Sequence, residues 1–170
     1  TLNPIVSLDP VGAFFLLMFG FGWAKPVPVD TRYFKNPRRD MAITALAGPI
    51  ANLLASFVGA VIYLELLVWK GLSMPGFIHD FFMAYIVINV SLAVFNLIPL
   101  PPLDGSKILG AFLSNKALYN YYRYQNIIIM VAFVILFSGI LQAPLAFFQK
   151  ACLNGVFWLA QLPFKLFGLL

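Results

Sequence analysis

The chain has 170 residues, of which 62% are hydrophobic and 10% charged. Soluble domains carry about one-quarter charged residues, so 11 basic and 6 acidic side chains cannot supply the polar shell that a soluble core needs. Apart from one basic cluster within residues 25–39, the charges lie singly between apolar blocks. This pattern excludes a nucleic-acid-binding stripe and predicts one membrane-embedded domain over residues 1–170.

Apolar blocks follow one another along the chain. Three reach the length of about 20 residues that a spanning helix needs, namely Met41 to Trp69, Phe81 to Leu100 and Ile127 to Phe148. Val11 to Trp23 is shorter and fits a re-entrant segment, whereas polar residues interrupt Ala151 to Leu170 and favour an interfacial or distorted helix. The sequence predicts an all-α polytopic membrane protein with about three to five transmembrane or re-entrant helices and an extended proline-rich segment.

Basic residues are concentrated in alternate loops. Residues 25–40 contain five Lys or Arg, residues 70–80 contain one, and residues 104–125 contain three. Because cytoplasmic loops carry an excess of Lys and Arg, residues 25–40 and 104–125 are expected on the cytoplasmic side of the cell membrane. The tyrosine-rich run Tyr119 to Tyr124 is typical of an aromatic belt at the membrane surface.

The first candidate site is the segment Asn96-Leu97-Ile98-Pro99-Leu100-Pro101-Pro102-Leu103-Asp104-Gly105. Its three prolines free backbone carbonyls, which must face protein or a wet cavity rather than lipid. A carboxylate near membrane depth is costly unless it is compensated, so Asp104 requires a cation, a proton or a hydrogen-bond donor. The alternative is an interfacial turn in which Asp104 caps the next helix.

Two further segments combine backbone constraints with polar groups. The small residues of Ala47-Gly48-Pro49-Ile50-Ala51-Asn52 allow close helix approach and place the Asn52 amide in an apolar block, either as a site or as packing. Between Gly20 and Asp30, Pro26 and Pro28 force an extended backbone. That segment could add a substrate strand or serve as a connector.

The remaining metal-binding residue types are sparse. The only histidine, His79, lies beside Asp80 in a short loop, which favours a solvated or interfacial residue over a metal ligand. Cys152 is the only cysteine, so the sequence excludes an internal disulfide and a cysteine-rich zinc site.

A series of motifs in a defined order carries a family resemblance. They are Thr1-Leu2-Asn3-Pro4, Asp9-Pro10, Gly22 to Val29, Asn36 to Asp40, Gly48-Pro49 with Asn52, and Asn96 to Gly105. With these motifs the sequence resembles the site-2 protease family of intramembrane zinc metalloproteases, in particular its compact prokaryotic members.

The resemblance implies a membrane metalloendopeptidase that uses zinc to hydrolyse peptide bonds in transmembrane protein substrates. Asp104 matches the aspartate of the Leu-Asp-Gly motif, which supplies the third zinc ligand in this family. By the same resemblance, Asn52, Asn96, Pro26 and Pro28 are expected to bind the substrate. In such enzymes the metal activates a water molecule and a glutamate takes its proton.

The sequence departs from the family in one important respect, because it contains no His-Glu-x-x-His motif and only one histidine. In the family this motif supplies two zinc ligands and the general base, and it lies upstream of Leu-Asn-Pro. The resemblance therefore implies a truncated chain that is inactive by itself. Two alternatives remain open: a catalytically dead membrane scaffold, and a transporter that binds a cation at Asp104.

Overall fold

The computed structural model describes residues 30–70 and 75–168, which fall into two units, residues 30–35 and 36–168. The first unit contains a 3-10 turn, Thr31–Tyr33. Within its described residues, the regular secondary structure of the second unit is all helix. Its helices are α1 (Pro37–Lys70), α2 (Gly76–Asn96), α3 (Asp104–Phe112), α4 (Asn115–Arg123), α5 (Gln125–Phe137) and α6 (Gln142–Leu166).

Helix α1 confirms the first predicted span and begins four residues earlier than Met41. Pro37 occupies the first helical position, where a missing N–H costs nothing. The Asp40 carboxylate accepts a hydrogen bond of 3.0 Å from the Asn36 backbone N–H, which satisfies a donor that the helix leaves free. The 34 residues of α1 extend over about 50 Å, more than the hydrocarbon core requires.

Helix α2 confirms the second predicted span with shifted limits. It starts at Gly76, directly after Pro75, and ends at Asn96 rather than at Leu100. The residues beyond Asn96 form a turn because Pro99 lacks the backbone donor that would continue the helix. Two further prolines, Pro101 and Pro102, follow it. Within the described residues, α1 and α2 are the two helices that are long and apolar enough to cross a membrane.

The prediction of a third span from Ile127 to Phe148 was wrong. Helix α5 stops at Phe137 after 13 residues, and Gly139 then adopts a φ of 79°, a left-handed conformation that ends helices. The chain restarts as α6 at Gln142, so the second half of the block joins the predicted Ala151 to Leu170 segment in one 25-residue helix. The Val11 to Trp23 segment lies outside the described residues.

The buried core lies where α1, α2 and α6 meet. Small side chains, including Ala60 of α1 and Ala160 of α6, are fully buried there and let the helices approach closely. Two polar contacts also cross this interface. Gln149 of α6 donates a hydrogen bond of 2.7 Å to the Ser91 hydroxyl of α2, and the buried Ser56 hydroxyl of α1 donates to the Ile86 carbonyl of α2.

The outer surfaces of α1 and α2 are apolar. Both helices expose large hydrophobic side chains in rows three or four residues apart: Ile50, Leu54, Val58 and Ile62 on α1, and Phe77, Phe81, Tyr85, Ile88, Leu92 and Phe95 on α2. Apolar patches of this extent are unusual on soluble monomers. The fold is that of an all-α membrane protein, as the composition predicted.

Candidate functional site

The Leu-Asp-Gly segment is held by a very close backbone contact. A Cβ atom built on Gly105 would lie 2.3 Å from the carbonyl oxygen of Ile98 and 2.4 Å from that of Leu97. No larger residue fits this position without movement of the backbone. Gly105 therefore allows the first turn of α3 to pack against the end of α2, and this contact fixes the position of Asp104.

Asp104 is the first residue of α3 and faces α1. A Cβ atom built on Gly48 of α1 would lie 3.3 Å from Oδ2 of Asp104. The other carboxylate oxygen, Oδ1, accepts a hydrogen bond of 3.0 Å from Nζ of Lys107, one turn along α3. The carboxylate thus has one oxygen paired with a cation and the other beside a residue that has no side chain.

The structure does not support Asp104 as a helix cap. The residue that caps α3 is Leu103, and no side chain provides a capping hydrogen bond there. Asp104 lies inside the first turn, where a negative charge interacts favourably with the helix dipole. Both charged side chains of the Asp104–Lys107 pair are partly exposed, so the pair contributes at most about 1 kcal/mol to stability.

The two candidate asparagines lie close to this contact in the chain. Asn52 is one turn beyond Gly48 on the same face of α1, and Asn96 ends α2 just before the carbonyls that contact Gly105. Both side chains are half-buried. Within the part of the chain that the structure describes, neither makes a hydrogen bond. Pro26 and Pro28 lie outside the described residues.

A complete zinc site is not formed by the residues that the structure describes. They contain no group of three His, Cys, Asp or Glu side chains able to hold a metal ion. Asp104 has the chemistry of a zinc ligand, but zinc sites in proteins use three or four protein ligands. The described donor set therefore does not fit zinc, and the Asp104 carboxylate is compensated by Lys107 instead.

His79 contacts α1 far along the helix from the level of Asp104. Its Nδ1 is 2.8 Å from the hydroxyl of Tyr63, which stands 15 residues after Gly48 on α1. That separation corresponds to about 22 Å along the helix. His79 therefore packs at the opposite end of α1 from the Asp104 carboxylate.

Among the described groups outside the spanning helices, Tyr121, Asp30 and Arg32 have shifted pKa values. Burial raises the pKa of the Tyr121 phenol on α4, because the charged form is less well solvated there. Its hydroxyl donates a hydrogen bond of 3.3 Å to the Pro99 carbonyl, one of the carbonyls in the proline-rich turn. In the first unit, hydrogen bonds from the Arg32 side chain and backbone hold the pKa of the Asp30 carboxyl below its usual range.

Sequence reasoning missed two contacts of this region. The Asp104–Lys107 pair was signalled by its spacing of three residues, which places both side chains on one face of a helix. Arg38 of α1 donates hydrogen bonds to the Leu113 carbonyl and to Oδ1 of Asn115. No local pattern announces that second contact, because it joins residues 75 and 77 positions apart.

Arg38 also brings two predicted loops together. Its contacts join the start of α1 to the junction of α3 and α4, so residues from both segments predicted to be cytoplasmic lie at the same end of α1. Residues 104–123 are largely helical rather than a loop.

The fold and its carboxylate-bearing turn define an all-α membrane protein, and comparisons with known proteins show which family it is similar to. The sequence model of peptidase family M50 matches residues 67–139, which include Asn96 and Asp104 but not Asn52. The matched family is the site-2 protease family predicted from the motifs, and the match supports that prediction. No solved structure matches the chain significantly.

Two curated relatives support the assignment. A Bacillus subtilis protein named "Putative zinc metalloprotease YwhC" is 42% identical over 112 residues, which cover 64% of this chain and 51% of the relative. A Methanocaldococcus jannaschii protein named "Putative zinc metalloprotease MJ0611" is 36% identical over 103 residues, covering 56% and 48%. The chain thus spans about half the length of the curated relatives it matches.

Proposed function

We propose that the chain forms part of an intramembrane zinc metalloprotease, to which Asp104 contributes one metal ligand. The observation that carries this proposal is the position of the Asp104 carboxylate, with Oδ2 beside Gly48 of the apolar helix α1. The match to the model of peptidase family M50 and the names of both relatives support the same chemistry. Aspartate carboxylate oxygens are among the ligands that zinc binds in proteins.

The proposal requires further ligands and a general base from residues outside these 170. The sequence has one histidine and one cysteine, and the described residues supply no second ligand next to Asp104. The isolated 170-residue chain is therefore expected to bind no catalytic zinc and to cleave no peptide. We further propose that residues 25–40 and 104–125 lie on the cytoplasmic side of the membrane.

The proposed substrate is a transmembrane segment of another protein. Asn52 is suited to hold its backbone, because the half-buried amide has no hydrogen-bond partner among the described residues and lies one turn from Gly48. Asn96, Pro26 and Pro28 are proposed as further substrate contacts. A partner strand or unwound helix offers the backbone donors and acceptors that an asparagine amide can bind.

The first test is the intact mass of the protein purified from its native membrane, with zinc quantified in the same sample. The proposal expects a mass well above 18.9 kDa and about one zinc per chain. A mass equal to that of these residues, without zinc, would instead support a catalytically dead scaffold. The ion pair between Lys107 and Asp104, which compensates the carboxylate without a metal, is the observation in favour of that second candidate.

The proposed role of Asn52 predicts a separable effect. Replacing Asn52 by alanine in the zinc-loaded protease should reduce turnover about tenfold or more, as expected for the loss of a substrate-positioning hydrogen bond worth about 1.5 kcal/mol. Zinc content should stay unchanged, because the amide is not a ligand. Both quantities are measured on one preparation, and a parallel fall in zinc content and turnover would assign Asn52 to packing.

A further inference from the structure

A groove of about 780 Å³ lies between the first turns of α1 and the helix α3. Arg38 and Arg39 line it at the end where α1 begins. Further along α1 its wall is apolar, with Ile43 and Leu46. Helix α3 contributes an apolar wall as well, where Ile108 and Phe112 line the groove.

The charge of the groove is positive. Two arginines line it, and no aspartate or glutamate does. The hydrogen bonds of Arg38 to the Leu113 carbonyl and to Asn115 fix its guanidinium group at one edge. The nearest acidic residue in sequence, Asp40, accepts a hydrogen bond from the Asn36 backbone at the start of α1. Arg39 forms no ion pair within the described residues.

The position of the groove coincides with the change from polar to apolar sequence on α1. From Arg39 to Leu46 the helix rises about 10 Å, which is the depth between lipid headgroups and the upper part of the acyl chains. Phe112 is 83% exposed at the end of α3, and its ring adds apolar surface to the groove. The groove therefore has a cationic end at headgroup level and an apolar floor below it.

We propose that this groove binds one anionic phospholipid of the surrounding bilayer. Its phosphate contacts the guanidinium groups of Arg38 and Arg39, which form charge-assisted hydrogen bonds with phosphate oxygens. One acyl chain lies along Ile43, Leu46 and Ile108. Charge complementarity selects an anionic lipid, because a groove lined by two arginines and by no aspartate or glutamate favours a ligand with net negative charge over a zwitterionic one. The proposed site is independent of the zinc chemistry.

The test is lipid binding to the purified full chain in detergent, followed by native mass spectrometry. Dioleoylphosphatidylglycerol is the anionic probe and dioleoylphosphatidylcholine the neutral one. The unchanged chain is expected to retain one phosphatidylglycerol in preference to phosphatidylcholine. Arg39→Gln should weaken phosphatidylglycerol binding about fivefold, the effect of one arginine near an anionic surface. It leaves the hydrogen bonds of Arg38, and therefore the fold, intact.

A matched control removes positive charge elsewhere. Lys116→Gln with Arg123→Gln takes two charges from α4 without touching the groove, and it should leave phosphatidylglycerol binding within about twofold of the unchanged chain. Soluble glycerol 3-phosphate should not displace the lipid, because it lacks the acyl chain. An unchanged affinity in Arg39→Gln, an equal loss in the α4 control, or displacement by glycerol 3-phosphate would each overturn the proposal.

Discussion

Replacing Asp104 by alanine in the zinc-loaded protease is expected to reduce proteolysis more than about 100-fold, because loss of a group that only supports a metal ligand already costs 10- to 100-fold. Zinc content per chain should fall with it. The fold should survive, since the ion pair that Asp104 loses with Lys107 is partly exposed and contributes at most about 1 kcal/mol. Cleavage of a membrane-embedded reporter and zinc per chain are the two measurements.

The control for this substitution is Asp80→Ala. Asp80 is an exposed acidic residue just after the first turn of α2, next to His79 and so about 22 Å along α1 from the Asp104 contact. It should keep both activity and zinc. Full proteolysis in Asp104→Ala would remove Asp104 from the mechanism. Loss of proteolysis with zinc retained would make Asp104 a substrate or packing residue rather than a ligand.

The second large effect is expected at Gly105. A methyl group there would lie 2.3 Å and 2.4 Å from two backbone carbonyl oxygens at the end of α2. Because backbone atoms cannot turn aside as a flexible side chain can, Gly105→Ala should destabilise the chain by about 3 kcal/mol or push α3 away from α2. The measurement is the melting temperature in detergent, with zinc content of the loaded protease as a second readout.

Gly155→Ala is the matched comparison for Gly105→Ala. Gly155 lies inside α6, and no atom lies within 4 Å of a Cβ built on it. Alanine in a helix interior is favoured over glycine by about 0.5–1 kcal/mol, so this variant should be as stable as the unchanged chain or slightly more stable. Equal melting temperatures for the two variants would show that the end of α2 adjusts, and that Gly105 does not fix the position of Asp104.

The spanning helices α1 and α2 were predictable because long apolar blocks report directly on burial in lipid. The break between α5 and α6 was not, because Gly139 and its neighbours are apolar or small, and hydropathy cannot detect a left-handed backbone conformation. The limits of α2 shifted for a similar reason. The prolines after Asn96 end the helix through their missing donors, while the apolar composition continues to Leu100.

The candidate site was predictable only in its residue types. The motifs singled out Asp104, Asn52 and Asn96, but the approach of Gly48 to the Asp104 carboxylate is a contact between helices more than fifty residues apart, and no local pattern specifies it. The structure adds Lys107 as the cation beside the carboxylate. The roles of Asn52, Asn96 and Asp104 stay predictions, and Pro26 and Pro28 lie outside the described residues.

The level at which α3 contacts α1 also sets the distance between the Asp104 carboxylate and the water on either side of the membrane. Helix α1 becomes apolar at Met41, and Gly48, which marks the level of the Asp104 carboxylate, lies about 10 Å further along the axis. The hydrocarbon core is about 30 Å thick. In the membrane placement proposed above, water entering from the Arg38 end would cross about one-third of that thickness to reach Asp104, and water from the other side would cross twice that distance. In the proposed protease, a peptide bond held at this level would lie closer to one end of the substrate's spanning helix than to the other.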